Sequence, residues 1–234
     1  MTLLLLPNLL DESLSHRDFL PQSVDEAVSN IDGLIAESDK SARAFLKRFS
    51  FTPPKTFREV PISLLNEHTD NTALLALLTP LERGERWGLI SDCGLPSLAD
   101  PGASLVALAH KRGIQIQAYP GPSSLVLALQ LSGLSGQRFA FHGYPKKEAL
   151  EMQRQMRLLE QLDSTHLFIE APYRSGKFLE QLIGYLSDKT LLSVAWDLTL
   201  PTQCVITEQV ASWRIRSLPN LHKRPAIFLF QSIK

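Results

Sequence analysis

The chain has 234 residues, of which 44% are hydrophobic, enough to bury a large core as one large domain or two small ones. Its 24 basic and 24 acidic residues cancel to a formal net charge of zero, which excludes a global positive field for gathering nucleic acid or an anionic membrane, so any polyanion must be met by a local patch. Cys93 and Cys204 are too few and too far apart for a disulfide framework or a metal-type spacing, which points to a reducing, cytoplasmic compartment.

Taken in chain order, the opening run MTLLLLPNLL reads as a buried strand over residues 3–6. It lacks a basic leader, is broken by Pro7 and runs into Asp11 and Glu12, which argues against a secretory signal or a membrane span. Further strands are predicted over 33–36, 87–91 and 114–118, with helices over 41–49, 72–82 and 103–111. Alternation of apolar runs with helical periodicity is the pattern of βα units feeding a largely parallel sheet, so the fold class is α/β. A Pro-Gly-Pro sequence at 120–122 punctuates the chain, and the domain boundary is placed there, giving domains 1–118 and 119–234. Beyond it a helix is predicted over 123–131, a strand over 139–143 and a long charged helix over 147–162. Strands over 165–170 and 192–196 flank a helix over 175–186, and strands over 204–207 and 226–230 close the sheet in antiparallel fashion.

Four loops carry the candidate chemistry. Residues 91–102, SDCGLPSLADPG, follow a strand and precede a helix, the position at which α/β proteins bind ligands. Gly94 permits close backbone approach, Pro96 stiffens the loop, and Asp92 and Asp100 can accept hydrogen bonds from hydroxyls or an amine. Asp100 before Pro101 equally fits a helix cap, and the two roles are compatible. Residues 119–124, YPGPSS, again lead from strand to helix and offer Ser123 and Ser124, although an isolated Pro-Gly-Pro also serves as a plain turn. In 168–174, FIEAPYR, a strand ends on Glu170 with Arg174 close behind, as a functional pair or a surface one. In 196–199, WDLT, Asp197 and Thr199 end an apolar strand. There is no dinucleotide fingerprint, phosphate-binding P-loop, nucleophile elbow or zinc-binding HExxH motif, so NAD, ATP and hydrolase chemistries are disfavoured and no metal is expected.

In this order the four loops resemble the tetrapyrrole methylase superfamily, and within it the bacterial branch that methylates a cytidine ribose 2′-hydroxyl of small-subunit ribosomal RNA. Its S-D-A-G-T-P and D-P-G pattern is matched by Ser91, Asp92, Gly94, Pro96, Asp100, Pro101 and Gly102, its P-G-P-S loop by residues 120–123, and its Y-E-S-P-x-R loop by Glu170, Pro172 and Arg174. Fainter echoes are Phe139 to Tyr144, Glu37 with Arg43, and His68 after Glu67. The chain departs from the pattern where Asp197, Leu198, Thr199 and Leu200 stand for E-L-T-K, and where only Pro7 and Asn8 remain of T-P-I-G-N.

The resemblance implies a two-domain methylase with S-adenosylmethionine (SAM) in the interdomain cleft, S-adenosylhomocysteine as product, and a homodimer as the usual state. Carried over by position, Pro7, Asp92, Cys93, Gly94, Leu95, Pro96, Leu98, Asp100, Ser123, Ser124, Glu170 and Leu198 would contact the cofactor. Glu37 and Glu170 rank first as proton acceptors, ahead of Asp92, Asp100 and His68. RNA or the small ribosomal subunit would be met by Lys40, Arg43, Lys47 and Arg48 on one helix and by Lys146, Lys147, Arg154 and Arg157 on another, unless these are solvated faces. Methylation of a tetrapyrrole or another small molecule, and SAM binding without catalysis, remain as alternatives.

Overall fold

The computed structural model describes residues 1–233, which divide into two compact units, Met1–Ser123 and the residues from Ser124 onward. The first contains β1 (Thr2–Leu5), α1 (His16–Phe19), α2 (Gln22–Ser29), β2 (Gly33–Ala36), α3 (Asp39–Leu46), β3 (Ile62–Leu64), α4 (Asn71–Ala76), α5 (Thr79–Glu82), β4 (Arg86–Leu89), α6 (Ala103–Lys111) and β5 (Gln115–Ala118). Its strands form a sheet in the order β3-β2-β4-β1-β5, and every pairing is parallel.

Period-two alternation sends successive side chains of β1 and β2 to opposite faces. Leu4, Leu34 and Ala36 join Val24, Val28, Phe45 and Leu46 of α2 and α3 on one face. Leu3, Ile35 and Leu89 join Leu74, Leu81, Leu105 and Ala109 on the other. Both faces are covered, which explains why these strands read as continuous apolar runs. In β2, Gly33 lies opposite Trp87 of β4, and a Cβ at Gly33 would stand 2.4 Å from the indole, so the ring fills the space that the glycine leaves.

The single helix predicted over 72–82 is two helices, because Pro80 cannot donate the amide hydrogen bond that would carry α4 into α5. The sequence reading also passed over α2, although Val24, Ala27 and Val28 form its buried stripe, and over the three-residue edge strand β3.

The second unit contains α7 (Ser124–Ser132), β6 (Phe139–Phe141), α8 (Ala149–Leu159), β7 (Thr165–Glu170), α9 (Ser175–Tyr185), β8 (Leu191–Trp196), β9 (Cys204–Gln209), α10 (Val210–Trp213) and β10 (Ala226–Gln231). Its sheet, in the order β6-β7-β10-β8-β9, is mixed: β6 pairs parallel with β7, while β10 runs antiparallel to both β7 and β8, and β8 to β9. The antiparallel pairing matches expectation, but β10 fills the centre of the sheet instead of closing its edge. Its first five residues, AIFLF, are all buried, and a strand apolar on both faces is stable only between neighbours. Phe168, Phe178, Phe228 and Phe230 form the core beside Trp213, whose indole N–H donates to the Leu192 carbonyl at 2.9 Å.

Candidate active site

Because the first sheet is wholly parallel, the segments leaving β1, β2, β4 and β5 all emerge at its carboxyl edge, where ligands of α/β folds are held. Asn8 ties two of them together. Its buried side-chain amide donates to the carbonyls of Ser91 (3.1 Å) and Asp92 (2.8 Å), and its backbone N–H donates to the Gly94 carbonyl at 2.8 Å. Asn8 Oδ1 accepts from the Leu9 amide (2.9 Å) and from Arg48 Nη1 (2.7 Å), which fills the hydrogen-bonding capacity of that amide. Sequence reasoning did not count Asn8 among the site residues and gave Arg48 to RNA. The signal for Asn8 was its place, with Pro7, as the remnant of the family's loop after the first strand.

The loop after β4 holds an unusual conformation. Gly94 and Gly102 have φ of 71° and 136°, and Ser97 and Ala99, which carry a Cβ, have φ of 66° and 72°. Left-handed backbone at a non-glycine residue costs about 1–2 kcal/mol and persists where the surroundings enforce it, commonly at functional sites. A Cβ at Gly102 would lie 2.5 Å from Ser97 Oγ, so this position accepts only glycine, and the Ser97 hydroxyl is buried without a hydrogen-bond partner.

Three carboxylates gather on this edge. Glu37, just after β2, accepts a hydrogen bond from the Asp92 amide at 3.0 Å. Its pKa is raised, first by burial and then by the charges of Asp92 and Asp100. Asp100 is raised by burial and by Asp92. Among the described residues no ion pair engages Glu37, Asp92 or Asp100, so the cluster carries negative charge without a compensating cation. The Cys93 thiol is also pushed up, by desolvation and then by Asp100, Asp92 and Glu37, although the residue as a whole is exposed. Beside the carboxylates lies a cavity of about 330 Å³, lined in part by Asn8, Asp11, Glu12, Ser38, Arg48 and Asp92.

The remaining predicted residues of this unit sit around the same edge. Pro7 and Pro96 are buried, Leu95 is half-buried and Leu98 is exposed. Gly121, in the segment leaving β5, approaches Pro7 so closely that a Cβ there would come within 2.1 Å of the proline ring. Ser123, two residues on, is buried.

The second unit holds Ser124 at the start of α7, Glu170 at the end of β7 and Leu198 after β8. Glu170 and Arg174 do form a pair: Glu170 Oε1 accepts from Arg174 Nη2 (2.6 Å), Arg174 Nε (3.0 Å) and the Ala171 amide (2.7 Å). Asp197 Oδ2 accepts from Arg224 Nη1 (2.7 Å) and Thr202 Oγ1 (2.8 Å), so an arginine from just before β10 meets the loop that lacks the family lysine. Asp197 and Thr199 also have positive φ, 51° and 72°. Two of the four singled-out loops thus hold four of the five non-glycine residues with positive φ among the described residues.

Two arginines proposed for RNA are engaged internally. Arg43 Nη1 donates to the carbonyls of Phe57 (2.9 Å) and Val60 (3.0 Å), and Arg48 is bound to Asn8. Lys40 and Lys47 stay exposed, and His68 is an exposed side chain facing Glu67. Trp87, Trp196 and Trp213 are core residues.

The family of Tetrapyrrole (Corrin/Porphyrin) Methylases matches residues 21–212. The chain belongs to this family. Among curated relatives of this chain, one named Ribosomal RNA small subunit methyltransferase I from Synechocystis is 32% identical over 78% of the chain and 62% of the relative. One of the same name from Xylella fastidiosa is 30% identical over 84% and 69%. The chain thus spans about two thirds of the length of these relatives. The crystal structure of the methyltransferase CobJ superposes with a TM-score of 0.62, covering 97% of this chain and 92% of that one at 15% identity, a likeness of fold.

Proposed function

We propose that the chain is a SAM-dependent methyltransferase whose acceptor is a ribose 2′-hydroxyl of small-subunit ribosomal RNA. Family membership and the names of the relatives support this reading. The observation that carries it is the cluster of Glu37, Asp92 and Asp100, whose carboxylates have no ion-pair partner among the described residues and in which burial and the neighbouring charges raise the pKa of Glu37 and Asp100. Such a cluster fits a cofactor with a sulfonium and an ammonium, and the strained loop after β4 presents backbone groups of the kind that hold an adenosine. Cofactor contacts are assigned to Pro7, Asp92, Cys93, Gly94, Leu95, Pro96, Leu98, Asp100, Ser123, Ser124, Glu170 and Leu198.

Bound SAM supplies an electrophilic methyl group on a cationic sulfur. The work left to the chain is to align the acceptor, to exclude water and to take a proton from a weakly acidic hydroxyl. Glu37 suits the last task, since burial makes it a stronger base than an exposed glutamate and only its Oε1 is held, by the Asp92 amide. Glu170 is the other candidate acceptor; its Oε1 is taken up by Arg174 and Ala171, leaving the second oxygen for a proton. We place the chain in the cytoplasm, in keeping with its free cysteines, and as a homodimer on the family resemblance. Among the described residues no helix is long and apolar enough to cross a membrane.

The neutral net charge and Leu200 in the lysine position favour a second reading, a small-molecule acceptor. Calorimetric titration with SAM tests the cofactor assignment. Wild type is expected to bind, and Asp92→Asn with Asp100→Asn to bind at least tenfold more weakly; equal affinity would remove the carboxylates from the site.

A further inference from the structure

A second hollow, entirely within the second unit, has a different character. It encloses about 200 Å³ and is walled by Lys146 and Lys147, just ahead of α8, by Arg174, Lys177 and Phe178 at the start of α9, and by the buried Glu170. Four cationic side chains thus face one carboxylate. Arg174 already neutralises that carboxylate through its two short contacts to Oε1. Lys146, Lys147 and Lys177 are all exposed, and among the described residues none has an ion-pair partner. In a chain of zero net charge, three unpaired ammonium groups around one concavity repel one another until an anion enters.

We propose that this hollow is a phosphate-binding site that seats a backbone phosphate of the polynucleotide substrate. The proposal rests on the ribosomal RNA reading above. Ammonium groups act as point charges and meet a phosphate from several directions at once, whereas a planar carboxylate is matched best by the fork of an arginine, here already committed to Glu170. All three lysines stand at the solvent, so a strand can enter and leave the hollow on either side of the bound phosphate. The site also accounts for Lys146 and Lys147 lying ahead of α8, apart from the arginines on the helix itself.

The test is anisotropy titration of a fluorescein-labelled single-stranded RNA of mixed sequence, at several salt concentrations, with wild type and with Lys146→Gln/Lys147→Gln/Lys177→Gln. The triple variant is expected to bind about tenfold more weakly and to show a log–log salt slope shallower by about 0.7, the contribution of one neutralised phosphate on a single strand. Lys→Arg replacements at the same positions should restore the slope, and unchanged melting temperatures will exclude a folding defect. Equal affinity and slope in wild type and variant would overturn the phosphate site while leaving the RNA reading intact. Absence of RNA binding by wild type would overturn both. Inorganic phosphate titrated by calorimetry provides the second arm: lysine-dependent phosphate binding without lysine-dependent RNA binding would make the site one for a free anion and end the proposal.

Discussion

Glu37 Oε1 accepts a hydrogen bond from the backbone amide of Asp92 at 3.0 Å, so the acid that follows β2 and the loop that leaves β4 form one unit at the carboxyl edge of the sheet. Asn8 fastens the segment after β1 to the same loop, through the carbonyls of Ser91 and Asp92. Three neighbouring strand ends are thereby locked around a cluster of acids.

Glu37→Gln keeps an oxygen to accept the Asp92 amide but cannot take a proton. Turnover should fall about 100-fold with no loss of melting temperature. Glu170→Gln should cost less, because Glu170 is already bonded to Arg174 and Ala171. Steady-state kinetics decide between them, and a larger loss at Glu170 would move the proton-accepting role there.

The raised pKa values of Glu37 and Asp100 have a consequence for stability. An acid whose folded pKa lies above its unfolded value holds its proton more tightly when folded, so stability declines as pH rises from the ordinary values, 4.5 and 3.8, through the raised ones. Glu37→Gln/Asp100→Asn should therefore be more stable than wild type at pH 7, with the advantage vanishing below about pH 4. Urea unfolding across that range measures it; an equal difference at every pH would show that ionisation plays no part.

Asn8→Ala leaves the Ser91 and Asp92 carbonyls and the Arg48 guanidinium without a partner. The expected cost is about 1–3 kcal/mol in chemical denaturation, together with weaker SAM binding, because the loop after β4 loses its anchor.

Thr199 is β-branched and has φ of 72°, a conformation that glycine adopts without penalty. Thr199→Gly should stabilise the chain by about 1 kcal/mol in thermal or urea unfolding. If the strain serves binding, SAM affinity should fall as stability rises.

Much of this was legible in the sequence. Leu3 to Leu6 and residues 33–36 are apolar without alternation, and that pattern belongs to strands covered on both faces. The loop after β4 announced itself through Gly94, Pro96 and Gly102. What stayed hidden depends on long-range contact. Helical spacing puts Lys40, Arg43 and Lys47 on one face, but it does not show that Arg43 reaches carbonyls 14 and 17 residues away or that Arg48 reaches Asn8. The place of β10 at the centre of its sheet is likewise a matter of topology, and the lysine hollow joins the segment ahead of α8 to the start of α9, about 30 residues further along the chain.

The most direct test of the account is transfer of label from methyl-labelled SAM to small ribosomal subunits isolated from a strain lacking the gene, followed by nucleoside analysis of the RNA. The account predicts labelled 2′-O-methylcytidine with wild type and about 100-fold less with Glu37→Gln. Unlabelled RNA, from protein shown by calorimetry to bind SAM, would contradict it and point to a small-molecule acceptor or to a binding protein without catalysis.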